Sequence, residues 1–335
     1  MTTDTRLQLP PANYKVVQVN NGNRRHYEVT VDGKKDPIKM PGVTGSLSII
    51  AKPQLVPWAA NQGVAMLTSS LLVAQLKAEK TTIKSEAEWL ANAIKKAKKD
   101  KKNLVALLAS DLSGRYKWPK KSTLKLDALT LANIIESAIN APDVVKKEAA
   151  DIGSDAHEFF DLYCQGKAPS MDKVKESSRP SVERFLKWVE TSGLIIAAGE
   201  TMVASLKHGY GGELDAVFAV DDPSKLPPYI KKLGLAEGDL VVGDYKTSNG
   251  IYDEYAFQVS AYDEAFYETY GIRCRAGVIV RFGKDQPLDE KGQPLPLDFE
   301  AKWLAEPSKS FRAFKAAQDL NAAVKGEHFL GEEKA

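Results

Sequence analysis

Apolar segments of two kinds alternate along the second half of the chain. Four short segments have the apolar composition and the length of β-strands: residues 194–203, 216–220, 240–243 and 274–282. Three longer segments repeat their apolar positions at helical spacing: residues 149–163, 255–270 and 299–324. Gly271 suits the position just after a helix end. This alternation predicts an α/β fold.

The first part of the chain has a different pattern. Asn20-Asn21-Gly22-Asn23 separates two alternating segments and predicts a β-hairpin. Ala, Leu and Lys alternate from about residue 60 to 140 and indicate several helices. We therefore expect a hairpin and a mostly helical extension over residues 1–147, and a core with a C-terminal helix over residues 148–335.

Acidic residues stand at the ends of two predicted strands. Asp215 follows Gly211-Gly-Glu-Leu and precedes an apolar strand, and Asp244 follows Leu240-Val-Val-Gly. Lys246 lies two residues after Asp244, on the same face of a strand. Carboxylates that converge from neighbouring strands bind hard cations. Such a cation with a nearby lysine is suited to hydrolysis of a phosphodiester.

The Asp-x-Lys pattern by itself is weak, because the chain contains it four times. The other copies begin at Asp32, Asp100 and Asp289 and lie in Gly-rich turns or in a lysine run. Only the copy at Asp244 follows a buried-strand pattern. The alternative interpretation is an exposed ion pair at a strand end.

Two predicted helices carry further candidate residues one turn apart. Gln258 and Tyr262 can point together toward the strand of Asp244, although Tyr262 also fits an ordinary core position with Gln258 as its solvated neighbour. His157 and Asp161 are paired in the same way on the earlier helix, where a carboxylate can orient an imidazole for metal binding. A structural histidine is the alternative.

Four short motifs follow one another along the chain: Gly153-x-x-x-His157, Gly212-x-x-Asp215, Asp244-x-Lys246 and Gln258-x-x-x-Tyr262. In this order they resemble the motifs of the PD-(D/E)XK nuclease superfamily, in its RecB-type branch. The resemblance covers roughly residues 148–285. Within this branch, the chain resembles phage and mitochondrial genome maintenance exonucleases. It implies an α-β-β-β-α-β core with a mixed central sheet.

The resemblance also implies roles for single residues. His157, Asp215, Asp244 and the backbone carbonyl of Tyr245 would hold Mg²⁺ or Mn²⁺. Asp215, Asp244, Lys246, Gln258 and Tyr262 would form the catalytic set. Glu200 and Asp161 are additional candidates near the metal, and Glu200 fits an exposed strand position equally well.

Other family features are missing from the chain. Cys164 and Cys274 are its two cysteines, too few for the four-cysteine iron-sulfur cluster of several RecB-type nucleases. The sequence has no Gly-x-x-x-x-Gly-Lys-Ser/Thr loop, so we expect no use of ATP. No apolar run reaches the roughly 20 residues of a membrane helix. With no secretion signal and few cysteines, we expect a cytoplasmic protein without membrane contact.

The net charge of +2 does not by itself indicate a partner. Lysines are concentrated over residues 95–102, where a solvated helix end is the simpler interpretation. Aromatic and basic side chains alternate in a second group, which could bind a single strand or equally form a solvated helix end or loop: Tyr116, Trp118, Lys120 and Lys121.

We therefore predict a metal-dependent deoxyribonuclease, of exonuclease type, that acts on a single strand or a duplex end in DNA replication, recombination or repair. A phage origin and a recombination or replication protein as partner are further expectations from the resemblance. The alternatives are a non-catalytic nucleic-acid-binding or scaffold protein that retains the fold, and a sequence-specific endonuclease.

Overall fold

The computed structural model of the protein describes residues 9–21, 24–50, 59–63, 66–67, 70, 128–167, 169–290 and 292–325. The N-terminal elements are β1 (Lys15–Asn21), β2 (Arg24–Thr30), β3 (Ile38–Pro41) and the short helix α1 (Val43–Ser46). β1, β2 and β3 form an antiparallel sheet in that order, which contains the hairpin predicted around Asn20-Asn21-Gly22-Asn23.

The C-terminal part contains both helices and strands. They are α2 (Ala128–Cys164), α3 (Arg179–Thr191), β4 (Leu194–Ala198), β5 (Thr201–Ser205), β6 (Tyr210–Leu214), β7 (Ala216–Val220), α4 (Pro228–Lys231), β8 (Leu240–Lys246), α5 (Asp253–Tyr270), β9 (Ala276–Arg281), β10 (Glu300–Leu304) and α6 (Pro307–Lys325). Five strands form a sheet in the order β10-β9-β8-β7-β4, while β5 and β6 form a separate antiparallel pair. Because β8 and β9 are parallel and the other pairs of the five-stranded sheet are antiparallel, this sheet is mixed.

The α/β class predicted from the sequence is confirmed. Within the five-stranded sheet, β4, β7 and β8 follow the helices α2 and α3, and α5 then connects β8 to its parallel neighbour β9. A crossover of this length is what parallel strands require. α5 ends where the sequence indicated, because Gly271 adopts the left-handed conformation (φ 74°) that favours glycine after a helix.

The chain divides into two compact units. One comprises residues 1–51 and 151–335, and the other comprises residues 52–150. The division at 150/151 lies close to the boundary predicted after residue 147. The first 51 residues, however, group with the C-terminal part, since Tyr14 and Tyr27 of the N-terminal sheet contact the β5–β6 pair.

The sheet carries a core on each face. On one face, α2 and α3 contribute Phe160 and Phe185, whose rings lie 4.4 Å apart, to a cluster that includes Phe218 and Tyr245. On the other face, α5 and α6 cover the strand side chains that point the opposite way, such as Val217. Burial of both faces explains why the strands are nearly continuous apolar runs in the sequence.

Three segments differ from the sequence-based expectation. The predicted strand over residues 194–203 is divided at Gly199 and Glu200, because β4 pairs with β7 while β5 pairs with β6. Residues 210–214 form the strand β6, which contains Gly211 and Gly212 and was not predicted. The prediction of a helix from residue 299 is wrong at its start, because residues 300–304 form the edge strand β10 and the helix begins at Pro307.

The described helices include α2, which has 37 residues. Within the ranges given above, none combines the length and the apolar character that crossing a membrane would require.

Candidate functional site

Two carboxylates meet at the end of the β7–β8 ladder. The last pair of this ladder is Ala216 with Gly243. One step further places Asp215 opposite Asp244, and opposed residues of antiparallel strands project from the same face. The backbone N–H of Tyr245 donates to Asp215 Oδ2 at 2.6 Å. This bond holds the Asp215 side chain against β8.

Tyr245 fixes the end of β8 from the opposite face. Its ring is fully buried and lies 5.5 Å from the rings of Phe160 and Phe185. The N–H and C=O of one strand residue point to the same side of the strand. Since the N–H of Tyr245 reaches Asp215, the carbonyl of Tyr245 also faces the edge at which Asp215 lies.

Asp244 and Lys246 form a buried ion pair on the face that α5 covers. Asp244 is 0% exposed, Lys246 Nζ contacts its Oδ2, and its Oδ1 has no hydrogen-bond partner among the described residues. Burial raises the pKa of Asp244 to about 6, although the Lys246 ammonium opposes that rise. Burial acts to lower the pKa of Lys246, but the charges of Asp244 and Asp215 outweigh it and raise that pKa. Lys246 therefore stays charged.

A buried carboxylate oxygen without a partner is costly. Asp244 Oδ1 therefore provides a test of whether a cation fits this site. A divalent cation satisfies such an oxygen directly, and the neighbouring Asp215 carboxylate and Tyr245 carbonyl offer further oxygen ligands. Oxygen donors of this kind suit a hard divalent cation such as Mg²⁺ or Mn²⁺, but the ligand atoms of His157, Asp215 and Asp244 do not all lie within 4.8 Å of one another.

His157 reaches the same site from α2. Its ring centroid lies 6.4 Å from that of Tyr245 and 5.5 Å from that of Phe160. Burial and the nearby Lys246 ammonium lower the pKa of His157 to about 4, against the opposing charges of Asp244 and Glu200. The imidazole is therefore neutral at pH 7, which is the form that binds metals.

α5 places Gln258 and Tyr262 beside the carboxylates. Gln258 Nε2 donates to the Tyr262 hydroxyl at 3.1 Å, as their spacing of one helical turn allows. Burial and the charges of Asp244 and Asp215 raise the pKa of Tyr262, so its hydroxyl stays protonated. Lys246 Nζ lies 4.8 Å from the ring centroid of Tyr255 on the same helix.

Glycine in β6 permits this arrangement. A Cβ added to Gly212 would lie 2.5 Å from Tyr262 Cε1, and one added to Gly211 would lie 2.6 Å from Tyr27 Cβ. Two tyrosine rings therefore occupy the space that side chains at these positions would need. The glycine pair serves close packing of the strand and not chain flexibility.

A second acidic group borders the site. Asp161, one turn after His157 on α2, shares a hydrogen bond with Glu200, which is exposed at the bend between β4 and β5. Burial, this hydrogen bond and the charge of Glu200 raise the pKa of Asp161 to about 8. Burial and the charge of Glu200 also raise the pKa of Glu213. The Asp161 carboxyl therefore stays mostly protonated at pH 7 and can donate to Glu200.

Sequence reasoning missed two charged residues near the site. Glu213 stands two residues before Asp215, and this short spacing was the available signal. Lys284 follows β9, and its charge acts on the pKa of His157. No spacing in the sequence connects Lys284 to the motif residues, because they come together through strand pairing and helix packing.

Asp161→Asn should weaken the pH dependence of stability in metal-free protein. The pKa of Asp161 is raised from 3.8 to about 8 on folding, so the unfolded chain loses this proton first as pH rises. The contribution of Asp161 to the free energy of unfolding is full below about pH 4 and declines up to about pH 8. Urea titrations in EDTA at pH 5, 7 and 9 would give this slope.

Asparagine retains the polar contact to Glu200 but has no proton to lose. We expect the decline between pH 5 and pH 9 to be smaller in Asp161→Asn than in the parent protein. Asp151→Asn, an exposed change on the same helix, is the matched control. Equal slopes in the parent and Asp161→Asn would contradict the raised pKa of Asp161.

The predicted nucleic-acid-binding residues lie outside the described residues. They are Tyr116, Trp118, Lys120 and Lys121, and the lysine run over residues 95–102 is outside as well. Their role in binding stays a prediction.

A different group of potential metal ligands combines two residues of the C-terminal part of α5 with one from the β5–β6 turn. The ligand atoms of His208, Glu264 and Glu268 lie within 4.8 Å of one another. In the described part of the chain, no other set of three His, Cys, Asp or Glu residues meets this distance. Glu268 accepts hydrogen bonds from Ser205 Oγ and the Lys207 N–H, and Glu264 pairs with Arg273. These bonds give the group a structural role at the β5–β6 turn.

Comparisons with known proteins identify no family. No protein-family model matches the chain, and no curated protein matches it. Among solved structures, the crystal structure of SSO0001 is similar with a TM-score of 0.25 and 12% sequence identity. The match covers 44% of this chain and 58% of SSO0001, less than two thirds of that protein's length. A similarity of this size carries no conclusion about fold or function.

Proposed function

We propose that this chain is a divalent-metal-dependent DNA nuclease of the PD-(D/E)XK type, which shortens DNA from an end. The observation that carries the proposal is the Asp244 carboxylate. It is completely buried beside Asp215 and Lys246, and its Oδ1 has no protein partner among the described residues. Proteins pair buried charges or use them to bind metals, and perturbed carboxylates often mark functional sites.

The strand order supports this proposal. The nuclease core implied by the sequence motifs has the order α-β-β-β-α-β. Along the chain, β4, β7, β8, α5 and β9 follow the same order, with the β5–β6 pair inserted after β4. The motif residues Asp215, Asp244 and Lys246 then stand at one end of the central strands of the five-stranded sheet.

The cation would be held by His157, Asp215, Asp244 and the carbonyl of Tyr245. A bound Mg²⁺ or Mn²⁺ supplies positive charge against a phosphate and increases the acidity of water. The neutral imidazole of His157 makes Mn²⁺ a suitable ion as well as Mg²⁺. Neither an iron-sulfur cluster nor ATP is part of the proposal.

The remaining residues act on the substrate and on Lys246. The charged ammonium of Lys246 would stabilise negative charge on the phosphate and orient the attacking water. Gln258 and Tyr262 would keep the space beside Asp244 and Asp215 polar while excluding bulk water. The Tyr255 ring below Lys246 Nζ favours its charged form.

The resemblance stated for the sequence supplies the biological setting of the proposal. It suggests single strands or duplex ends of DNA as substrate in replication, recombination or repair. A cytoplasmic location, a phage origin and a recombination or replication protein as partner belong to the same proposal.

Lys246→Ala should reduce DNA cleavage by about a hundredfold or more, which is the range for a group that stabilises charge or moves a proton. A time course with end-labelled single-stranded and double-stranded DNA in Mg²⁺, Mn²⁺ or EDTA would measure it. The matched control is Lys34→Ala, because Asp32-Gly-Lys34 is an exposed copy of the same pattern. Cleavage in EDTA, or equal rates for the parent and Lys246→Ala, would contradict the proposal.

The products separate the alternatives. Progressive shortening from one end is expected for the exonuclease, and the position of the label gives the polarity. Fixed internal fragments would instead indicate a sequence-specific endonuclease. DNA that is bound in a salt-sensitive way but stays intact with either metal would indicate the non-catalytic binding protein.

A further inference from the structure

A second lysine lies at the same end of the sheet as Lys246. β8 and β9 are parallel, and in their register Lys246 lies beside Arg281 at the end of both strands. The Phe282 N–H then donates to the Lys246 carbonyl at 2.7 Å, so the chain after β9 stays beside the end of β8. Thr247 follows Lys246 directly, and Lys284 follows Phe282 by two residues. Parallel pairing therefore brings Thr247 and Lys284 to one place.

A glycine on α2 shows how close these two side chains are. A Cβ added to Gly153 would lie 2.9 Å from Thr247 Oγ1 and 3.8 Å from Lys284 Nζ. Both polar groups therefore face the same point on α2, one turn before His157. An alanine at position 153 would push into the Thr247 hydroxyl.

Lys284 acts on the same electrostatic site. Its charge contributes to the lowered pKa of His157, together with that of Lys246. Burial lowers the pKa of Lys284 itself, so its ammonium is less hydrated than one on the open surface. A partly desolvated ammonium binds an anion more strongly than a fully hydrated one.

The charges around His157 are arranged unequally. Asp161, Glu200 and Glu213 interact with one another, and the charge of Glu200 also acts on His157. Lys246 and Lys284 supply two positive charges beside His157. A polyanionic strand that reaches the carboxylates would be repelled by the acidic group and attracted by the lysines.

We propose that Lys284 Nζ and Thr247 Oγ1 bind the phosphate adjacent to the phosphate that is cleaved. The inference rests on the proposed nuclease function and adds a binding site that the motif residues do not include. The ammonium supplies charge, and the hydroxyl donates a directed hydrogen bond. Together they position the strand while Asp244 and Lys246 act on the neighbouring linkage.

The test compares Lys284→Met, which keeps the length of the side chain and removes its charge, with Lys309→Met. Lys309 is exposed on α6 and pairs with Glu306. We expect Lys284→Met to raise KM for DNA about tenfold, the size of one lost charged hydrogen bond, with a smaller effect on kcat. The slope of log affinity against log salt should also decrease by about one. Lys284→Arg should recover most of the affinity, and Lys309→Met should match the parent.

Modified DNA locates the phosphate. Neutral methylphosphonates, introduced one at a time, should weaken binding to the parent protein at the linkage next to the cleavage point. The same substitution should have little further effect in Lys284→Met, because the interacting charge is already absent. Substrates with a 5′-phosphate or a 5′-hydroxyl distinguish a terminal phosphate from an internal one.

The outcomes separate this inference from the function on which it rests. If the parent protein cleaves DNA while Lys284→Met keeps the parental KM and salt slope, the phosphate site is wrong and the nuclease proposal stands. If the parent neither binds nor cleaves DNA with either metal, both are wrong. A lower affinity that Lys284→Arg fails to recover, with an unchanged salt slope, would indicate a packing effect and also overturn the phosphate site.

Discussion

Asp244→Asn should reduce DNA cleavage by at least about a thousandfold, which corresponds to about 4 kcal/mol of transition-state stabilisation. The change keeps the volume of the side chain but removes the negative charge beside Asp215. A divalent cation needs that charge to offset its loss of hydration in a buried site. Initial rates with Mg²⁺ and Mn²⁺ would measure the loss, and calorimetric titration with Mn²⁺ would measure binding of the ion directly.

Asp32→Asn is the matched control for this change, because Asp32 belongs to an exposed Asp-x-Lys copy outside the site. It should bind Mn²⁺ and cleave DNA as the parent does. Circular dichroism would establish that Asp244→Asn is folded. A folded Asp244→Asn protein that retains parental cleavage would remove Asp244 from the mechanism and with it the main support for a nuclease.

Gly243→Ala should lower the free energy of unfolding by about 3 kcal/mol, at the upper end of the usual effect of overpacking. A Cβ at this position would lie 2.1 Å from Phe218 Cε2. Phe218 cannot move aside easily, because its ring lies 5.0 Å from that of Trp188 within the buried cluster. Urea titration followed by tryptophan fluorescence would measure the change.

Gly45→Ala provides the comparison. A Cβ at Gly45 meets no described atom within 4 Å, and the residue lies in the short helix α1. Alanine is favoured over glycine in helices by up to about 1 kcal/mol, so this variant should be as stable as the parent or slightly more stable. Equal stabilities for Gly243→Ala and Gly45→Ala would mean that Phe218 does not cover β8 as described.

Local patterns in the sequence were sufficient for several parts of the site. A strand repeats every two residues, so Asp244 and Lys246 had to share a face if residues 240–246 formed a strand. A helix repeats every 3.6 residues, so Gln258 and Tyr262 could be paired in the same way. Both expectations agree with the geometry, which includes the ion pair and the hydrogen bond between these side chains.

The edge strand β10 and the glycine-containing strand β6 could not be predicted from local periodicity. Trp303 fits an amphipathic helix by its spacing to later residues, yet it lies in β10 and pairs with Val278 of β9. The free edge of β9 offers unpaired backbone groups there, and pairing them outweighs local helical preference. No strand was predicted over residues 210–214, because the sequence does not reveal the tyrosine rings that pack onto Gly211 and Gly212.

The sequence by itself determined the α/β class, the two-residue and four-residue spacings of the candidate site, and the end of α5 at Gly271, because each depends on periodicity or on the conformational preference of single residues. Tertiary structure alone decided the register that sets Asp215 opposite Asp244, the burial that leaves Asp244 Oδ1 without a partner among the described residues, and the approach of Glu213 and Lys284. These contacts join residues far apart in the chain. They depend on how strands pair and helices pack, which local sequence patterns do not encode.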